Sequence, residues 1–310
     1  MSTIDRPLLT VYIPTYQRPE FAILLESLAN QLTPEVEIII SDNDSTRSAF
    51  KYVEQFLNGV DCNVTYSARA TNIGGDANVV RGLSQGSAPW LWLIGDDDEV
   101  LPHSIRYICD AIKTDDCDRI ILLTPNAPRL AAGFHGEVGD LASRDPSLLV
   151  AATLMSSNIV RRSRLSVERA YDCLDSKYGH AWANVGCRVI RVLDKPCIVV
   201  GTAHPGEGYP LDFRKSQVRL LQALLKDGYG VNVTLEDAFA WNFANIDTLP
   251  REAALDAGQQ AASPAASSSL HEGTSSELNR ISQLASRLLR ERDRLQSELL
   301  SLRNIKHESS

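Results

Sequence analysis

The sequence is poor in aromatic residues, which fill 6% of its 310 positions, and no apolar run approaches the ~18 residues of a spanning helix. No transmembrane helix is therefore expected. Basic residues are also in the minority, 31 against 39 acidic ones, for a formal net charge of -8. Proteins that live on phosphate backbones need a basic face to release counterions, so nucleic acid is not an expected partner. Cysteine pairing is missing as well: Cys62, Cys109, Cys117, Cys173, Cys187 and Cys197 include no C-x-x-C spacing. The chain opens on a strand-like run, Leu8–Pro14, rather than a secretory leader. Reduced, mostly buried thiols and a cytoplasmic compartment are the expectation.

What is present is ordinary for a soluble fold. With 44% hydrophobic and 23% charged residues over this length, one large domain with an appendage can bury a sizeable core. The only dense basic run is Arg161, Arg162 and Arg164. It reads as a solvated surface cluster, with contact to a pyrophosphate or, peripherally, an anionic membrane at the inner face as its other reading.

Through the first half, short β-branched runs alternate with amphipathic segments, the pattern of a mostly parallel sheet covered by helices. Strands are expected at Leu9–Ile13, Val36–Ser41, Val64–Ser67 and Trp90–Ile94, with helices near Glu20–Gln31, Ala49–Leu57 and Asp76–Gln85. A helix near Ser104–Lys113 and a strand near Arg119–Thr124 follow. Beyond them come expected helices near Pro146–Met155, Leu165–Ser176 and Phe213–Lys226, and a strand near Cys197–Gly201.

Residues 251–276 are dominated by Ala, Ser, Gly and Gln, which bury too little apolar surface to offset ordering, so a flexible linker divides a 1–250 domain from the C-terminus. Thr274-Ser-Ser-Glu277 has capping-box spacing. From there Leu278, Ala285 and Leu299 share one heptad position and Ile281, Leu288, Leu295 and Leu302 the other, interrupted by Arg292. The 3-4 spacing predicts a coiled coil over 277–307 that joins copies of the chain or docks a partner enzyme.

Chemistry should sit where strands end, because open α/β sheets bind ligands at their carboxyl edge. Asp96-Asp97-Asp98 follows the fourth strand directly. Three adjacent carboxylates repel one another, and a divalent cation on hard oxygen ligands, Mg²⁺ or Mn²⁺, would compensate. After the second strand, Ser41-Asp42-Asn43-Asp44-Ser45 offers donors and acceptors for a base edge. After the third, Asn72-Ile73-Gly74-Gly75-Asp76 combines glycines with a helix start whose amides suit phosphate. The first strand ends in Pro14-Thr15-Tyr16-Gln17-Arg18. Each cluster alone reads as a turn or cap; four at successive strand ends read as a site.

Together, Val11–Arg18, Ile39–Ser45, Thr71–Asn78 and Trp90–Pro102 resemble, in order and spacing, the family 2 glycosyltransferases, inverting enzymes of GT-A fold. The resemblance covers roughly Leu8 to Leu123 and is similar to the branch that builds bacterial surface polysaccharides. It implies a nucleotide site lined by Pro14, Thr15 and Arg18. It assigns Asp42 to the base, uracil or thymine, and sets Asn72 and Asp76 near diphosphate and ribose. The acidic trio becomes the D-x-D motif, as Asp96 with Asp98 or as Asp97 with Asp98, so that Asp96 and Asp97 touch the donor while Asp97 or Asp98 holds metal. The implied reaction moves a sugar from a UDP- or dTDP-sugar to a saccharide or lipid-linked acceptor.

The resemblance also implies a catalytic base from the second half, often in a Glu-Asp pair. No such pair lies between Thr124 and Gly230, and Glu236-Asp237 comes late. Glu207 and Asp212 in the segment His204–Asp212, and His180, are the candidates, with His204 a possible extra metal ligand. Two other readings stay open: a transferase-like scaffold acting through its coiled coil, and a sugar-1-phosphate nucleotidyltransferase, whose basic Gly-rich loop Pro14–Gln17 does not supply.

Overall fold

The structure, a computed structural model, describes residues 6–57, 60, 62–125, 132–144, 154–174 and 179–201. The expected helix at Phe213–Lys226, the linker, the coiled coil and the candidates His204, Glu207 and Asp212 lie outside these residues.

Strands β1 (Leu9–Thr15), β2 (Val36–Asp42), β3 (Asn63–Ala68) and β4 (Trp90–Leu93) run parallel in the order β3-β2-β1-β4. The sheet continues through β8 (Asn158–Arg161), β6 (Arg119–Leu123), β9 (Val189–Pro196) and β7 (His135–Glu137), with β8 antiparallel to both β4 and β6. A separate two-stranded ribbon pairs β5 (Glu99–Val100) with β10 (Ile198–Val199), antiparallel. The result is a GT-A-type α/β architecture, mostly parallel and covered on both faces.

Alternation explains the layers. In β1 and β4, Val11, Ile13, Trp90 and Trp92 point to one face, and Tyr12, Leu91 and Leu93 to the other, all buried. The first face is closed by α1 (Phe21–Ala29), α2 (Phe50–Leu57) and α4 (Ser104–Lys113). In α1 the buried set Phe21, Leu24, Leu25 and Leu28 has the i, i+3, i+4, i+7 spacing of one helical stripe. The second face is closed by α3 (Gly75–Gly82), α6 (Val167–Asp172) and α7 (Gly179–Ala183). There α3 comes so near β1 that a Cβ on Gly82 would overlap the Tyr12 ring. Helix α5 (Val138–Arg144) follows β7.

Several expectations are corrected here. The strand β9 and the short β7 were not foreseen, and Leu154 and Met155 are not helical where a helix through Pro146–Met155 was expected. The helix expected over Leu165–Ser176 is present but shorter, as α6, and a 3-10 turn at Arg162–Arg164 precedes it. Arg161 and Arg162 are drawn into the protein rather than solvated, while Arg164 of the same run is exposed. Arg162 donates to the carbonyls of Ala88 and Leu83 and to the Thr10 hydroxyl, Arg161 to the carbonyl of Cys117, and Arg164 pairs with Asp118. These bonds close the amino edge of the sheet, where the Glu37 carboxylate also accepts from Thr10, Ser87 and Ala88.

All six cysteines are free thiols. Burial pushes Cys109 up to about 12 and Cys117, Cys187 and Cys197 to about 11, so they behave as core side chains. No helix among the described residues is long and apolar enough to cross a membrane.

Candidate active site

The chain leaves β1 towards β2 and β3, then returns to place β4 on the other side of β1. The carboxyl ends of β1 and β4 therefore border the switch-point crevice, the place such sheets reserve for ligands. Thr15–Arg18 and Gly95–Asp98 meet there. The Tyr16 amide donates to Asp96 Oδ2 over 3.4 Å, Arg18 Nη1 donates to Asp97 Oδ2 over 3.0 Å, and Arg18 Nε lies 3.4 Å from Asp96 Oδ1. Two motifs 80 residues apart thus form one charged unit.

Asp96 is buried, and that burial raises its carboxyl to about 6, although the Thr15 hydroxyl and the Arg18 guanidinium pull it down. Burial likewise raises Asp98 to about 6, offset in part by the Ser156 hydroxyl and the amides of Gly201 and Gly95. Both acids sit where extra positive charge would stabilise their ionised forms.

Asp98 is the least accessible of the three, 2% exposed. Its Oδ2 accepts from the Gly95 amide and its Oδ1 from the Gly201 amide, each over 2.8 Å. Gly201 follows β10, whose pairing with β5 draws this segment across the acidic loop. A Cβ on Gly201 would meet the Asp97 carbonyl well inside contact distance and Asp97 Cγ at 2.6 Å. The Gly95 amide also donates to Ser156 Oγ at 3.0 Å, and the Ser156 carbonyl accepts from Trp92 Nε1 at 2.8 Å.

The donor set fits a hard cation. Asp97 Oδ1 and Asp98 Oδ2 each lie 2.9 Å from the point that a Cβ on Gly95 would occupy, so a side chain there would fill the space the two carboxylates share. Among the described residues no cluster of three or more His, Cys, Asp or Glu surrounds one point. A cation here would take its remaining ligands from phosphate and water, the usual habit of Mg²⁺.

Beside this crevice, the ends of β2 and β3 are tied together. Asp42 has no exposed surface: its Oδ2 accepts from the Tyr66 hydroxyl at 2.7 Å and its Oδ1 from the Asp44 amide at 2.9 Å. The Arg47 guanidinium lies 4.5 Å from the Phe50 ring centre and 5.4 Å from that of Tyr66. Asn43 Nδ2 donates to Asn72 Oδ1 at 2.6 Å, and the same oxygen accepts from the Gly74 amide at 2.8 Å. Gly74 has φ +88°, and a Cβ on either Gly74 or Gly75 would meet nothing within 4 Å. The backbone before α3 is thus open to a ligand. Asp76 stands in the first turn of α3.

Of the base candidates, His180 alone is described. It lies in α7 and is partly buried. Sequence reasoning missed Tyr66, Ser156, Asn78 and Gly201 as contributors. Gly201 closes the strand expected near Cys197–Gly201, so position alone was its signal.

Residues 10–128 match the family model described as Glycosyl transferase family 2. Over 269 residues the chain is 24% identical to abequosyltransferase RfbV of Salmonella typhimurium, covering 75% of this chain and 78% of that one. Among solved structures it is similar to S. aureus TarS 1-349 in complex with UDP-GlcNAc, with TM-score 0.52, 20% identity, and 80% and 83% of the two chains covered. Against the longer TarS structure it spans half the length of that chain. Mannosyltransferase PcManGT from Pyrobaculum calidifontis, in complex with GDP-Man and Mn²⁺, is similar at TM-score 0.50 and 16% identity, with 92% and 85% covered.

Proposed function

We propose that the protein transfers a sugar from a nucleoside diphosphate, UDP or dTDP in preference to GDP, to a saccharide or lipid-linked saccharide, with inversion, in the assembly of a cell-surface polysaccharide at the cytoplasmic side of the membrane. The observation that carries the reading is the joining of Arg18, Asp96 and Asp97 at the switch point, beside the linked Asn43–Asn72–Gly74 turn. The abequosyltransferase relative and the UDP-GlcNAc-bound neighbour favour a sugar-nucleotide donor.

In this reading Asp97, with Asp98 behind it, would hold Mg²⁺ or Mn²⁺, whose charge would offset that of the departing diphosphate. Asp98 fixes the loop through the Gly95 and Gly201 amides. Arg18, released from its carboxylates, is free to meet phosphate oxygens. The open amides before α3 face the same charge. Asp42 orients the Tyr66 hydroxyl, and through it shapes the base-reading edge. The base that takes the acceptor proton is Glu207, Asp212 or His180. The C-terminal coiled coil joins copies of the chain or a partner enzyme.

Diphosphate release from a panel of UDP-, dTDP- and GDP-sugars, with and without Mn²⁺, tests this on the full chain and on Asp97→Asn. Metal-dependent release that the variant loses supports the transferase. Neither release nor metal-dependent nucleotide binding would move the reading to a scaffold.

A further inference from the structure

Six large apolar side chains are exposed among the described residues, and four of them lie at the carboxyl edge of the sheet. Tyr16 and Val199 stand beside the acidic loop, while Ile73, 42% exposed, and Tyr171, 49% exposed, border a hollow of about 500 Å³. That volume is in the range of small-molecule sites. Its walls come from both halves of the domain. Ile73, Asp76 and Ala77 belong to the turn and first helical residues that follow β3, and Tyr171, Asp172 and Leu174 to the end of α6 and just beyond. The first wall is the turn whose Asn72 is bonded to Asn43, so the hollow shares its rim with the crevice described above.

The lining is selective in kind. Tyr171, Ile73 and Leu174 offer apolar surface, and Asp76 and Asp172 offer carboxylates, with no Lys, Arg or His among the described lining residues. A neutral pyranose matches both: its carbon face suits an aromatic ring, and its hydroxyls are donors for carboxylate acceptors. Nothing about this hollow requires the metal.

We infer that this hollow is the acceptor subsite, holding a neutral sugar ring of the saccharide that receives the transferred residue, with Tyr171 as its platform. The inference rests on the glycosyl-transfer reading, since it names where that reaction's second substrate sits.

The test is saturation-transfer NMR on the full chain with methyl glycosides of galactose, mannose, rhamnose and glucose, read beside the thermal shift given by UDP with Mn²⁺. At least one glycoside should give saturable transfer. Tyr171→Phe should keep it, and Tyr171→Ala should weaken the dissociation constant about tenfold or more. Ile73→Ser, on the opposite wall, should weaken it too, which covers the case in which Tyr171→Ala fails to fold. Transfer from none of the glycosides, or equal transfer in all the variants, overturns the subsite. A wild-type chain that binds glycoside but gives no UDP shift defeats the nucleotide reading instead, so the two failures are distinct.

Discussion

The Gly201 amide and the Asp98 carboxylate are joined across 103 residues by a 2.8 Å hydrogen bond, and Gly201 reaches that place only because it has no side chain to strike Asp97. The acidic loop is thereby clamped between β4 and the segment after β10. Gly201→Ala should push the two segments apart by a fraction of an ångström or more. Displacements of that order at a reacting centre cost on the order of a hundredfold in turnover, so diphosphate release should fall about that much. The melting temperature should drop only modestly. Unchanged turnover would mean that the loop does not depend on the clamp.

Asp97 and Asp98 should separate cleanly under the same substitution. Asp98→Asn turns an acceptor into a donor facing one of two buried amides, which costs about 1–3 kcal/mol. Asp97, at 23% side-chain exposure and bonded to Arg18, should lose activity as Asn with little change in stability. Urea titrations beside turnover measurements would show the contrast, and equal destabilisation by both would refute it.

Arg18 is the counter-ion of the acidic loop in the absence of metal. Its side chain is 40% exposed, so solvent screens the pairs and Arg18→Gln should cost about 1 kcal/mol or less. The larger effect is on cation dependence. Without Arg18, two neighbouring carboxylates lack compensation, and Mn²⁺ should raise the melting temperature of the variant by more than it raises that of the wild type. An equal Mn²⁺ response in both proteins would show that Arg18 does not compensate the loop.

Glu37 predicts a pH dependence at the opposite edge. Burial alone would raise its carboxyl, but bonds from the Thr10 hydroxyl and the Ser87 and Ala88 amides outweigh it and hold the group below its ordinary 4.5. A folded value below the unfolded one means stability that is complete above pH 4.5 and is lost as pH falls through the folded value. Glu37→Gln should be less stable at neutral pH by about 1–3 kcal/mol and should flatten that acid limb. Donor binding at neutral pH should survive, because Glu37 lies at the far end of the strands from the crevice.

Much of this site was legible because both-face-buried strands leave a plain trace: Leu9–Ile13 and Trp90–Ile94 are nearly all apolar and stop at polar clusters. The second half left weaker traces. Strand β9 carries Arg191, Asp194 and Lys195 among its apolar residues, and β7 is His-Gly-Glu, so neither has the run or alternation that marks a strand. The arginine run misled for a different reason. A sequence shows charge, and what fixes Arg162 is a set of carbonyls supplied by Leu83 and Ala88, far away in the chain. The two amide partners of Asp98 left no trace in the sequence, because they are contributed by backbone, which carries no residue signature.

One link ties three of the strand-end motifs together. The Tyr12 hydroxyl donates to the Asn78 carbonyl, Asn78 Nδ2 donates to the Ser41 carbonyl, and the Ser41 hydroxyl donates back to Asn78 Oδ1. The turn before α3, the end of β2 and the middle of β1 are thus one rigid frame. An arriving nucleotide has little backbone left to immobilise, so most of the entropy of ordering is spent when the chain folds rather than when the ligand docks. Donor affinity should then rest on contacts more than on adaptation, and crystals of the free and nucleotide-bound forms should superpose closely over this frame.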